Sequence, residues 1–299
     1  MFKYKVTVFT PTYNRGYVIE QAYRSLCRQT IKNFEWVVID DGSTDDTTEK
    51  FETWVKQDNG FPICYRKVPN GGKMRAVNIG LQLARGELFL NLDSDDRLTE
   101  TAIETVLKWE LTVQDQKERY AGVAGLRCYF DGRLIGTTFN GEYLDASVLD
   151  REKYGISGDR VEVFYTELLR RHPFPEIEGE KFISEGVTWM EICYEEQRIL
   201  RWFNEKIYQC EYLKDGYSHQ GLSLSLRNPK GLCLNIKKQI RYRKPSYKEK
   251  LYLWHSYVLV ARQLGYSGKK IRVDLEITML NYIAVLVGKR VLSLLKGFK

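Results

Sequence analysis

Four short runs of β-branched and apolar residues punctuate the first hundred positions, and each gives way to polar residues before a helical pattern begins. Val6-Thr7-Val8-Phe9-Thr10 reads as the first strand, followed by Ile19, Ala22, Tyr23 and Leu26 at helical spacing. Glu35 to Asp40 makes a second, nearly all-apolar strand. It breaks at Asp41-Gly42-Ser43, where Ser43 and Asp46 have the spacing of a capping box before a helix carrying Phe51 and Val55. Ile63 to Val68 is a third strand, Ala76 to Ala84 a helix, and Leu88 to Leu92 a fourth strand. Such β–α repetition with strands apolar on both faces predicts a parallel sheet covered by helices on both sides. Ligands bind such sheets outside the carboxyl ends of the strands.

The polar clusters fall at those ends. Asp93-Ser94-Asp95-Asp96 compresses three carboxylates into four residues, whose mutual repulsion a divalent cation shared with phosphate oxygens would relieve. A solvated acidic turn capping the helix at Thr101 reads equally well. Asp40-Asp41-Gly42-Ser43-Thr44-Asp45 could accept hydrogen bonds from a nucleobase or ribose, or form an Asx turn with a helix cap. Pro11-Thr12-Tyr13-Asn14-Arg15 adds an aromatic face and a cation. Asn70-Gly71-Gly72-Lys73-Met74-Arg75 adds backbone amides and two cations suited to diphosphate.

The order of these clusters over about 90 residues resembles the family 2 inverting glycosyltransferases of the GT-A fold. The resemblance implies an α/β fold, Rossmann-like, with a mostly parallel sheet covered by helices. Residues 1–130 would form its nucleotide-sugar half, 131–226 its acceptor half, and 227–299 a basic helical extension. It nominates Thr12, Tyr13 and Asp41 for the base, with Arg15 beside them, and Asp93 and Ser94 for the ribose. Asp95 would hold Mn²⁺ or Mg²⁺, and Lys73 and Arg75 would face the diphosphate or sugar. Asp96 stands one place beyond the motif, in a supporting position. An inverting displacement also needs a carboxylate to take the acceptor's proton. The segment from Phe174 to Glu185 looks like the family's base-carrying stretch, which nominates Glu185. Gly186 follows where the family commonly has Asp, so Glu180 and Asp159 stay open for the role. Asp159 and Arg160 read as contacts to acceptor or donor sugar, or as a turn. Trp189, four residues past Glu185, would stack on a sugar or fill the core. His219 would be a late metal ligand or an ordinary hydrogen-bonding residue.

Composition narrows the partners. The 299 residues carry 46 Lys+Arg against 39 Asp+Glu, but residues 227–299 hold 17 against 3. That basic tail predicts an anionic partner such as a membrane surface. Its last helix, Ile277 to Leu295, reads as lying in a lipid interface, or as packed on the main domain or in a homodimer contact. No run of about 20 apolar residues spans a bilayer and no secretory signal stands at the N-terminus, so the expected location is the cytoplasm, at the cytoplasmic face of the membrane. The six cysteines are scattered without a C-x-x-C pair, which argues for free thiols and against structural zinc. No zinc spacing or RNA-binding motif supports a nucleic-acid partner. The resemblance implies as substrates a nucleotide-sugar donor, with UDP as the carrier, and a glycan or polyprenyl-diphosphate-linked acceptor. Polyprenyl phosphate itself is the alternative acceptor.

Overall fold

The computed structural model describes residues 2–212 and 217–296, with the side chains of residues 217–219 and 288–296 outside the description. Contacts divide the chain into two compact units. Residues 1–175 and 191–212 form the first, and residues 176–190 and 213–299 the second.

The elements up to the second unit's helices are β1 (Tyr4–Thr12), α1 (Glu20–Cys27), β2 (Phe34–Asp40), α2 (Thr47–Trp54), β3 (Ile63–Lys67), α3 (Lys73–Leu83), β4 (Gly86–Asn91), β5 (Arg97–Leu98), α4 (Ala102–Leu111), β6 (Tyr120–Cys128), β7 (Tyr143–Ala146), β8 (Arg160–Tyr165), α5 (Thr166–Arg171), α6 (Gly186–Glu195) and β9 (Ile199–Gln209). One sheet runs in the order β3-β2-β1-β4-β8-β6-β9-β5, with β7 pairing on β9. The strands legible as apolar runs are its parallel part, since β1 pairs parallel with both β2 and β4, and β2 with β3. Beyond β4 the direction changes: β8 pairs antiparallel with β4 and β6. Every residue of β2 is buried, which is why it reads without alternation.

Two features explain the close helix cover. A Cβ at Gly80 would lie 2.1 Å from Cε2 of Phe9, so α3 sits on β1 only because position 80 has no side chain. On the outer strands, Trp36, Phe51, Trp54, Tyr65 and Tyr23 form one aromatic layer, with Tyr23 stacked on Trp54 at 4.3 Å and Phe51 on Tyr65 at 4.5 Å.

The expected capping box at the start of α2 does not form. Ser43 donates its N–H to Asp40 Oδ1 (2.7 Å), while its hydroxyl accepts from the Asn14 N–H (2.8 Å). Asp45 takes the capping work instead, accepting from the N–H and hydroxyl of Thr47 at 3.2 and 2.6 Å. Ser43 is drawn away because it ties the loop after β1 to the loop after β2.

The second unit contains α7 (Tyr217–Arg227), α8 (Pro229–Arg243), α9 (Tyr247–Gln263), α10 (Gly268–Leu275) and α11 (Met279–Lys296). Ile236, Trp254, Tyr257, Ile271, Leu275 and Val285 lie in its apolar core. The start of α9 is fixed by a capping box in which Ser246 and Glu249 bond each other's backbone N–H.

Candidate active site

The carboxyl ends of β1, β2 and β4 bring the first-unit candidates together. Asp41 follows β2, and its carboxylate accepts from the N–H groups of Gly71 (2.7 Å) and Gly72 (2.8 Å), joining that strand end to the start of α3. Its own N–H donates to the Thr12 carbonyl at 2.8 Å. Gly42 makes the turn possible, with φ of 87°, and a Cβ there would lie 3.1 Å from the Asn70 backbone N. Asn14, at φ 51°, accepts the Thr44 N–H at 2.8 Å, and the Gly16 N–H donates to Asp45 Oδ2 at 2.9 Å. Two loops far apart in sequence are thereby locked into one rim. On it, Tyr13 is half exposed, whereas Thr12 is buried with its Oγ1 lacking a hydrogen-bond partner among the described residues. Arg75 donates to the Pro69 carbonyl at 3.0 Å.

Past β4, the three carboxylates are held in three different states. Asp93 Oδ1 lies 2.7 Å from Lys73 Nζ. Burial by itself would raise the Asp93 carboxyl, but Lys73, Arg127 and Arg15 hold it below the usual carboxylate range. Asp95 approaches Arg15 at 4.0 Å, and burial followed by the charge of Asp93 pushes its carboxyl up. Asp96 is buried and pushed up to about 8, by burial first and then by Asp93 and Asp95, which keeps it largely protonated at neutral pH. The loop between them is braced by side chains the sequence did not single out. The Asp93 N–H donates to the Tyr208 hydroxyl (2.9 Å), which donates to Asp96 Oδ2 (2.7 Å), and the Gln21 amide donates to the Asp95 carbonyl. The Arg127 guanidinium lies over the Tyr208 ring, 4.4 Å from its centroid. Ser94 is buried within this loop.

Asp95 fits the role of a cation ligand. It is a carboxylate whose ionisation burial and a like charge oppose, and a divalent ion is the partner that relieves both. Among the described residues no group of three acidic, thiol or imidazole side chains could cage a metal.

The other candidates are dispersed. Asp159 accepts from the Tyr212 hydroxyl at 2.8 Å, and burial first, then this bond, push that phenol up. Arg160, read as part of a polar turn, instead opens β8 and is buried. Its carbonyl accepts from Arg127 Nε at 2.9 Å, its guanidinium donates to the Thr137 carbonyl, and burial with Arg151 lowers its pKa to about 10. Glu185 and Trp189 belong to the second unit. Glu185 stands at the entrance to α6, its carbonyl accepting from the N–H groups of Thr188 (2.9 Å) and Trp189 (3.3 Å), and Trp189 is half-buried. Glu180, the alternative base, has both oxygens engaged at the start of α8, by the Lys230 N–H at 2.8 Å and the Gly231 N–H at 2.7 Å. Asn228 Oδ1, just before α8, answers by accepting from the N–H groups of Lys181 and Phe182 at 2.9 and 3.1 Å. Glu180 is thus a helix cap and half of a clasp. The side chain of His219 lies outside the described residues.

Residues 7–112 match the family described as Glycosyl transferase family 2. A GalNAc(5)-diNAcBac-PP-undecaprenol beta-1,3-glucosyltransferase from Campylobacter jejuni is 31% identical over 197 residues, covering 63% of this chain and 59% of that protein. The chain thus spans about six tenths of that relative's length. Among solved structures, Staphylococcus aureus TarS 1–349 in complex with UDP-GlcNAc aligns with a TM-score of 0.59 at 20% identity, over 94% of this chain and 79% of that one. The mannosyltransferase PcManGT from Pyrobaculum calidifontis, in complex with GDP-Man and Mn²⁺, aligns at 0.57 and 19% identity, over 98% and 81%. At such identities these two likenesses speak to the fold. The matched segment runs from within β1 through α4 and contains each carboxylate cluster of the rim, so that this segment is similar to the family 2 glycosyltransferases, while the chain as a whole shares its fold with these two solved structures.

Proposed function

We propose that the chain is an inverting glycosyltransferase that moves a sugar from a nucleotide diphosphate donor, with UDP as the carrier, to a hydroxyl of a glycan or polyprenyl-diphosphate-linked oligosaccharide. The observation that carries this reading is the alternation of cations and carboxylates where β1 and β4 end: Lys73 on Asp93 at 2.7 Å and Arg15 by Asp95 at 4.0 Å. A dianionic diphosphate fits there by taking over the cations and sharing a metal with Asp95. Thr12 Oγ1, buried without a partner among the described residues, is a group that a bound base would satisfy beside Asp41 and Tyr13. Lys73 and Arg75 lie in the first turn of α3, where the helix dipole adds to their attraction for phosphate oxygens.

Asp95 would hold Mn²⁺ or Mg²⁺, which when bound supplies charge neutralisation for the departing diphosphate. Asp93 and Ser94 orient the ribose, and the Tyr208 brace keeps their loop from moving as charge builds up. Glu185 takes the proton from the attacking hydroxyl, with Trp189 one helical turn on for a sugar face. The undecaprenol-linked relative supports a lipid-linked acceptor, and the tail's 17 basic residues against 3 acidic support work at an anionic membrane surface. The test is Glu185→Gln assayed with Mn²⁺ and UDP-sugars. Turnover should fall by at least a hundredfold with donor affinity kept within threefold, and an unchanged rate removes Glu185 from the mechanism.

A further inference from the structure

We propose that the outward face of α11 is a lipid-contacting edge, laid along an anionic membrane surface; this extends the reading of a membrane-linked acceptor by naming the residues that touch the bilayer. Met279, Leu280, Ile283 and Val287 recur at helical spacing and are 51%, 79%, 48% and 52% exposed. The opposite side of the same helix is apolar too, but Tyr282 and Val285 are buried with Tyr257, Val258 and Ile271. A helix that fills its own core with one face has no folding reason to be apolar on the other.

The surrounding charge identifies what covers that face. The helices α9 and α10 present exposed Lys248, Arg262 and Lys269, while Lys270 is paired with Asp274 at 3.0 Å. Arg262 reaches to within 3.5 Å of the Tyr282 hydroxyl, one residue before Ile283. Tyr247 donates to Asn281 Oδ1 at 3.0 Å while remaining more than half exposed, an amphipathic ring beside the stripe. A second copy of the chain would bring two strongly basic surfaces together at this face. An anionic bilayer offers hydrocarbon for the stripe and negative headgroups for its rim. Among the described residues no helix is long and apolar enough to cross a membrane, so α11 lies along the surface.

The experiment is flotation of the full chain with vesicles of phosphatidylcholine containing 30% phosphatidylglycerol, and with phosphatidylcholine alone. Wild type should float with the anionic vesicles, and the uncharged change Leu280→Ser with Ile283→Ser should cut the bound fraction at least fivefold. In Ile283→Trp, the new indole should shift its emission to the blue on binding and be quenched by brominated acyl chains. Donor binding without vesicles, read by thermal shift, should be the same in all variants. It reports separately on the glycosyltransferase reading, which can fail while the lipid edge stands. Equal flotation of the double serine variant would overturn the proposal, as would an indole that stays in water. A dimer in solution that the serine changes dissolve, with no vesicle binding by wild type, would overturn it in favour of a second copy.

Discussion

Asp93 and Asp95 sit two residues apart in different electrostatic settings, Asp93 with Lys73 at 2.7 Å and Asp95 with Arg15 at 4.0 Å. Replacing Asp93 with Asn should loosen Lys73 and weaken donor binding even in chelator, whereas the effect of Asp95→Asn should appear only when Mn²⁺ is present. Titration calorimetry with and without chelator separates the two. Tyr208→Phe removes one buried hydroxyl that serves both the Asp93 N–H and Asp96. It should destabilise the protein by about 1–3 kcal/mol, the usual cost of orphaned buried groups, measured by urea unfolding. The carboxylates were legible in the sequence because three of them in four residues demand compensation. Tyr208 and Arg127 were not: each reads as an ordinary strand residue, and Tyr208 reaches the Asp93 loop from 115 positions away.

At the scale of elements, the stretch that carries Glu185 is tied to α8 by the reciprocal pair Glu180 and Asn228. Asn228→Ala leaves the N–H groups of Lys181 and Phe182 without their acceptor. Stability should drop by about 1–3 kcal/mol, and kcat should fall more than donor affinity, since the residues proposed for the donor lie in the first unit. Gly80→Ala should likewise destabilise. The added methyl meets the Phe9 ring, itself stacked on Phe89 at 5.2 Å, and the overpacking cost of about 1–3 kcal/mol exceeds the roughly 1 kcal/mol of helix propensity gained. The parallel strands could be read from the sequence because burial on both faces makes them continuous apolar runs. β8 and β9 could not, since Arg160, Glu162, Arg201 and Glu205 interrupt them, and their place in the sheet depends on pairing with distant strands. The capping box at Ser43 failed for a related reason: the local pattern was right, but a loop 29 residues away claimed the hydroxyl.

For the molecule as a whole, acid stability has a named contributor. Burial opposes ionisation of Glu87, but Lys117 and Lys5 on either side hold its carboxyl below the usual range. A depressed carboxyl stabilises the fold above its unfolded pKa of about 4.3, and that contribution fades as pH falls through the folded value. The stability gap between wild type and Glu87→Gln should therefore be constant near neutrality and shrink below about pH 4. The central claim is that the rim formed by β1, β2 and β4 binds a nucleotide diphosphate sugar through a cation shared with Asp95. Calorimetric titration of wild type and Asp95→Asn with UDP-sugars, in Mn²⁺ and then in chelator, tests it most directly. Wild type should bind a donor at least tenfold more tightly with Mn²⁺, a gain of about 1.4 kcal/mol or more, and Asp95→Asn should bind it equally in both conditions. Donor binding by wild type that ignores the metal, or metal-dependent binding that survives in Asp95→Asn, would contradict the account.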